Sequence, residues 1–348
     1  MHVEWGSIKQ RPHFIAEGLS QHFDVDVFFF PNYAKTGDIE NPTHLLLRKL
    51  FRLPLLRFAL MNQLNTFCFR LFFSFLVKKY DVIYITIPSF ISFFPENTCK
   101  NKTLIYDCMD DNIAMEKNYR QQMFDAEKEL VLRANLFITT SAHLKKVVNA
   151  RYATNREIHI INNALNKNKL HNILKTSFFD NSFYNLSYIG SVSSWFDIDT
   201  MLFCLKQHPD ICLHLFGVLD IPLPQHPRII YHGVIEHDLV FSVMNDSDGL
   251  IMPFILNDIV LSVNPVKAYE YIASGKPVFM VRYDETLPFD HYVYLYNTHE
   301  ELSALLQSRP ANKAEKNEIN AFLLNNCWEK RVDTIVSLLH EPNNEVVL

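Results

Sequence analysis

The chain has 348 residues, more than one hydrophobic core ordinarily supports, so two domains are expected. Apolar residues make up 48% and charged residues 20%, the balance of a folded protein, and a formal charge of -5 gives no global reason to expect nucleic acid as a partner. Six cysteines form no CxxC pair and stand at no zinc-ligand spacing, which predicts a reduced, cytoplasmic chain without a structural metal.

Met1-His2-Val3-Glu4-Trp5 lacks the basic and apolar regions of a signal peptide. The spacing then predicts a helix over 12–22, opened by Pro12, and a strand over 24–30. The segment 41–80 carries Arg48, Lys49, Arg52, Arg57, Arg70, Lys78 and Lys79 among many Leu and Phe residues, with no Asp or Glu. Its best apolar run is broken by Arg70, Lys78 and Lys79, so it is not expected to cross a membrane. Two readings stand for it: contact with an anionic membrane surface, or a pair of core-packing helices with solvated cations.

Strands over 81–87, 103–106, 136–140 and 158–161 alternate with helices over 119–134 and 142–152, the pattern of a parallel, doubly wound sheet. An acidic turn, Asp107-Cys108-Met109-Asp110-Asp111, follows the strand at 103–106. The Asn- and Lys-rich stretch 162–182 reads as a linker. Alternation restarts with strands over 186–189, 212–216, 229–232, 249–252 and 278–281 and helices over 197–207, 237–245 and 265–274, predicting a second α/β domain. A polar, amphipathic helical region follows over 313–339.

The stretch Asn264-Pro265-Val266-Lys267-Ala268-Tyr269-Glu270-Tyr271-Ile272-Ala273-Ser274-Gly275-Lys276-Pro277-Val278 carries the most chemistry. It reads as a helix capped by Asn264, started by Pro265, ended by Gly275 and followed by a buried strand. Free N–H groups and the partial positive charge of a helix N-terminus suit a diphosphate, and Lys267 adds a full charge in the first turn. Glu270 lies three residues on, on the same face, where a carboxylate can accept both hydroxyls of a ribose. The bland alternative is an exposed Lys–Glu pair of little energetic weight.

This stretch resembles the donor-site helix of GT-B glycosyltransferases, especially the large retaining family (glycosyl transferases group 1) of bacterial surface-polysaccharide enzymes. Leu186-Ser187-Tyr188-Ile189-Gly190-Ser191 is similar to that family's first C-domain strand and phosphate-side turn, and Tyr231-His232-Gly233-Val234 to the strand end near the base. Asp248-Gly249-Leu250-Ile251-Met252-Pro253-Phe254 resembles the strand before the donor loop, and Asn326-Cys327-Trp328-Glu329-Lys330-Arg331 the closing helix. Lys9-Gln10-Arg11-Pro12-His13 and the acidic turn resemble a subgroup from surface-polysaccharide clusters.

The resemblance implies two Rossmann-like doubly wound domains facing a cleft. Residues 1–164 would form an acceptor-binding domain and 183–311 a donor-binding domain, with 312–348 a C-terminal helix returning to the first. It implies transfer of a hexose from a nucleotide-sugar, UDP-linked, to a glycan or lipid-linked acceptor, without metal or cofactor, in the cytoplasm or at the inner face of its membrane. Implied donor-site residues are Lys267, Glu270, Gly190, Ser191, His232, Pro253 and Asn264.

Catalysis is expected from the acidic turn, at Asp110 and Asp111, as base or acceptor-orienting carboxylate; the alternative there is helix capping. Two departures limit the resemblance. Ser262 stands where the family carries an earlier Glu, and Ser191-Val192-Ser193 follow Gly190 without the usual basic residue, leaving phosphate to Lys267, backbone N–H groups and Arg11. Asp197-Ile198-Asp199 matches a metal-binding Asp-x-Asp signature but reads as a helix cap. An epimerase of the same fold and a non-catalytic nucleotide-sugar-binding subunit remain the rival readings.

Overall fold

The computed structural model describes residue 5 and residues 9–31, 45–54, 59–167 and 178–341. Two compact units divide the chain: Met1–Asn163 with Trp328–Leu348, and Ala164–Cys327. Positions 168–177 of the expected linker, and 41–44 and 55–58 of the basic segment with Arg57, lie outside the described residues.

In the first unit α1 (Arg11–Leu19) leads to β1 (Val25–Phe29), which pairs in parallel with β2 (Leu45–Lys49). The strand β2 was not expected. Its sequence, LLLRK, has no strand periodicity, and pairing with β1 overrides local preference. Next come α2 (Ala59–Leu76), β3 (Val82–Ile85), β4 (Thr103–Cys108), α3 (Asn112–Met115) and α4 (Arg120–Arg133). The unit's first stretch closes with β5 (Leu136–Thr139), α5 (Ala142–Tyr152) and β6 (His159–Ile160). A second parallel sheet runs β3-β4-β5-β6. β1 is not paired with β3, and an apolar cavity of about 500 Å³ lies there, lined by Val27, Phe28, Ile83 and Ile85 among others.

The second unit holds one six-stranded parallel sheet. Its strands are β7 (Tyr184–Ile189), β8 (Ile211–Phe216), β9 (Ile229–Gly233), β10 (Gly249–Met252), β11 (Val278–Val281) and β12 (Tyr294–Tyr296), in the order β12-β11-β10-β7-β8-β9. The helices are α6 (Ile198–Gln207), α7 (Val240–Asp246), α8 (Asp258–Ser262), α9 (Val266–Ala273), α10 (His299–Ser308) and α11 (Lys316–Asn325). Side-chain alternation separates two cores. Leu186, Tyr188, Leu213, Leu215, Ile251 and Phe279 face α6 and α10, whereas Ile189, Phe216, Leu250, Met252, Val278 and Met280 face α7, α9 and α11.

The expected helical tail is two helices. α11 stays with α9 in the second unit; α12 (Trp328–His340) belongs to the first and packs on α1. Trp328 stacks on Phe14 with ring centroids 5.0 Å apart, and Gly18 lets Val332 approach to where a Cβ would meet it at 2.3 Å. Arg331 Nε donates to the Asn162 carbonyl at 3.1 Å, tying α12 to the end of the unit's first stretch.

Candidate functional site

In the second unit the chain runs from β7 outward through β8 and β9, then returns to the other side of β7 through β10, β11 and β12. The order reverses between β7 and β10, and open α/β sheets bind ligands in the crevice at the carboxyl ends of such strands. Gly190 and Ser191 end β7; Pro253 ends β10. Pairing between β7 and β10 stops at Ser187↔Leu250, so the two strands separate beyond it.

That separation leaves the backbone N–H of Ile189 without a strand partner on the β10 side, and Tyr271 supplies one. Its hydroxyl accepts from Ile189 N at 2.8 Å, fixing α9 to the end of β7. Burial holds the Tyr271 phenol well above its ordinary pKa, so the hydroxyl keeps its proton. Nothing in the sequence distinguished Tyr271 from a core tyrosine, since its role depends on where β7 and β10 part. Two backbone bonds join the loops after these strands: Asp197 N donates to the Pro253 carbonyl and Ile255 N to the Trp195 carbonyl, each at 2.8 Å. Tyr188 Oη donates to the Ser191 carbonyl at 2.9 Å.

The strand ends lie close together. Gly217, just beyond β8, has φ +132, and a Cβ there would stand 2.2 Å from the Gly190 carbonyl oxygen. Only glycine combines that conformation with such an approach.

α9 begins on this same edge, because it connects the end of β10 to the parallel β11. Lys267 Nζ lies 2.6 Å from Glu270 Oε2, the lysine side chain 30% exposed and the glutamate 10%. The pair is therefore neither a fully solvated surface bridge nor sealed in the core. One Lys267 N–H is used on Glu270, which leaves two donors and the second carboxylate oxygen for a ligand. The cap position falls at Pro265, not at Asn264 as expected; Asn264 is buried and its Oδ1 accepts from Tyr269 Oη at 3.2 Å. Ser262 is buried, and its hydroxyl donates to the Asp258 carbonyl one turn back in α8.

His232 stands apart from this group, on β9 at the far side of β8, roughly 10 Å away at strand spacing. Its ring stacks on Phe216 at 4.3 Å, and Nε2 lies 3.0 Å from His214 Nδ1. Asn185 Nδ2 donates to the Asp180 and Phe183 carbonyls, so Oδ1 accepts from His214 Nε2–H at 3.0 Å. His214 Nδ1 then accepts from His232 Nε2–H. Burial, helped by His232, lowers His214 to about 4, and burial lowers His232 as well.

In the first unit β4 runs two residues longer than expected, which places Asp107 inside the strand, fully buried. Arg11 clamps it through Nε and Nη2 at 2.9–3.2 Å, Tyr84 Oη donates to it at 2.8 Å, and Arg11 Nη1 also reaches the Ile161 carbonyl at 2.8 Å. Arg11 is thus committed to Asp107 and is not the phosphate ligand expected of it. Burial alone lowers an arginine pKa, but the charge and hydrogen bonds of Asp107, with the charge of Asp110, outweigh it and hold Arg11 above its ordinary value.

Asp111 caps α3 through Ala114 N at 3.0 Å and pairs with Arg151 at 2.6 Å. Both its oxygens are therefore occupied. The Asp110 carboxylate takes no hydrogen bond among the described residues; burial first, then the charge of Asp107, raises its pKa against the pull of Arg11. Of the two candidate carboxylates, Asp110 is the one left available for proton transfer. Asp197 caps α6, with Thr200 N and Oγ1 on its two oxygens at 2.9 and 2.7 Å.

No family model and no curated protein matches the chain. Solved structures do. A sucrose-phosphate synthase from Thermosynechococcus elongatus superposes with a TM-score of 0.73 at 16% identity, covering 94% of this chain and 91% of that one. HepE of Anabaena, solved with UDP-glucose, gives 0.67 at 14% identity and 97% of both chains. WaaB, a lipopolysaccharide outer core galactosyltransferase, gives 0.65 at 11% identity over 97% of this chain and 98% of that one. With its two parallel α/β units and the last helix packed on the first, the chain has the GT-B fold.

Proposed function

We propose that the protein is a glycosyltransferase that moves a hexose from a UDP-linked donor to a lipid-linked or oligosaccharide acceptor in surface-polysaccharide biosynthesis. The observation that carries this is the half-buried Lys267–Glu270 pair on the helix that opens at the β7/β10 switch point. On this reading the second unit holds the donor. Lys267 and the N-terminus of α9 meet the diphosphate, Gly190, Ser191 and Pro253 border it, and the free Glu270 oxygen accepts from the ribose. Charge developing on the leaving diphosphate is then stabilised by groups already in place.

The first unit takes the acceptor, with Asp110 receiving the proton of the attacking hydroxyl or orienting it. Support for the nucleotide comes from the likeness to HepE, which was solved with UDP-glucose. Kinetics test the assignment. Glu270→Ala removes hydrogen bonds to a charged acceptor and should raise donor KM ~10- to 100-fold. Lys267→Ala should lower kcat ~100-fold. Wild-type constants in both variants would refute it, and tight UDP-sugar binding without transfer to any acceptor would leave a binding subunit instead.

A further inference from the structure

We infer that the outward face of α2 docks onto the surface of an anionic lipid bilayer, with the helix lying along it. The inference stands on the first unit alone and does not depend on the donor-site assignment.

α2 is apolar on two opposite faces. Phe69 and Phe73, with Asn65 beside them, are buried against the core, and Phe73 packs edge-on against Phe28. On the other side Leu60, Leu64, Phe67, Leu71, Phe72 and Phe75 are each between 43% and 74% exposed. Their spacings of three, four and seven place them on one continuous stripe of about four turns. Of the 23 large apolar side chains exposed among the described residues, nine fall between positions 46 and 75, so this is a patch and not ordinary scatter.

The patch is widened and fixed by Asn65, whose Oδ1 accepts from Leu53 N at 2.8 Å while Nδ2 donates to the Leu53 carbonyl at 3.2 Å. That double bond to the backbone holds exposed Phe51 and Leu53 beside α2. The rim is cationic: Arg70 borders the stripe, Lys78 lies 5.7 Å from the Phe75 ring, and Lys79 follows. No carboxylate occurs anywhere from 41 to 80.

A protein partner of ordinary composition would meet cations without acidic counterparts here. An anionic bilayer supplies both an apolar layer for the stripe and negative headgroups for the rim. Among the described residues no helix is long and apolar enough to cross a membrane, so α2 lies on the surface and does not span it.

The test is flotation of the full chain with vesicles of phosphatidylcholine containing 30% phosphatidylglycerol, against vesicles of phosphatidylcholine alone. Binding should be at least tenfold stronger to the anionic vesicles and weaken with salt. The double variant Leu64→Glu/Phe67→Glu should lose at least tenfold, whereas Leu132→Glu/Leu324→Glu, exposed elsewhere, should not. Should the first variant fail to fold, Arg70→Gln/Lys78→Gln/Lys79→Gln leaves the stripe intact and should lower anionic binding on the order of 100-fold, at about fivefold per charge. No preference for anionic vesicles would overturn the inference. So would sedimentation showing a dimer that Leu64→Glu/Phe67→Glu dissociates, since the stripe would then face a second copy of the chain.

Discussion

Replacing Tyr271 by Phe removes one oxygen atom from a side chain that is fully buried. The volume barely changes, so packing around the ring is kept and no cavity term arises. The cost comes from Ile189 N–H, which the divergence of β7 and β10 leaves with the Tyr271 hydroxyl as its partner at 2.8 Å. A buried amide stripped of its acceptor costs ~1–3 kcal/mol. Urea denaturation should therefore show a lower midpoint at unchanged slope, because the area exposed on unfolding is the same. Untethering α9 from the end of β7 should also shift Lys267 relative to Gly190 and weaken UDP binding several-fold, read in the same protein as a Kd by isothermal titration. A Tyr271→Phe protein with wild-type stability would show that water replaces the hydroxyl and that the tether is dispensable. A stability loss with unchanged UDP affinity would refute the positioning argument alone.

Three further outcomes are expected. Asp110→Asn should lower turnover at least 100-fold without lowering stability at pH 7. Its raised pKa means that, between the ordinary carboxylate value and the raised one, the folded chain keeps a proton the unfolded chain has lost; stability falls as pH rises through that window, and the ionised form is a cost that Asn removes. A melting temperature that drops together with activity would make Asp110 structural. For His214 the sign is opposite: the unfolded chain gains a proton near pH 6.5, the folded one only near 4, so stability is full above 6.5 and declines as pH falls through the interval. The full difference would be ~3 kcal/mol, reduced to ~1–2 kcal/mol by solvent reaching the pair through His232; His214→Gln should flatten the change in denaturation midpoint between pH 7 and 4.5, and an unaltered profile would count against the assignment. Gly217→Ala must place a Cβ 2.2 Å from the Gly190 carbonyl at a φ of +132, and should destabilise by ~2–4 kcal/mol in chemical denaturation.

Periodicity made most of the second unit legible, because β7, β8, β10 and β11 are buried on both faces and read as short apolar runs between amphipathic helices. The donor helix was legible for a different reason: Pro265, Gly275 and the Lys267/Glu270 spacing are local signals. What escaped the sequence is what depends on partners distant along the chain. β2 exists only because β1 offers an edge. Asp107 looked like a turn carboxylate, and Arg11, 96 positions away, makes it a buried ion pair. Asp110 and Asp111 are neighbours of one type, and the Ala114 N–H and Arg151, both taken by Asp111, separate their roles. His232 was expected in the nucleotide site from its motif, but its ring turns to Phe216 and His214 on a face set by the register of β8 and β9.

Because α12 closes the first unit, that unit is assembled from the two ends of the chain. During synthesis its first stretch leaves the ribosome up to Asn163, yet the apolar side of α1 that receives Trp328 and Val332 must wait for α12. At ~5–20 residues per second that wait lasts about 10 to 35 s, long enough for the whole second unit to fold first. A fragment cut after Asn163 would carry this uncovered surface permanently, whereas a fusion of the first stretch directly to the final helix would restore it.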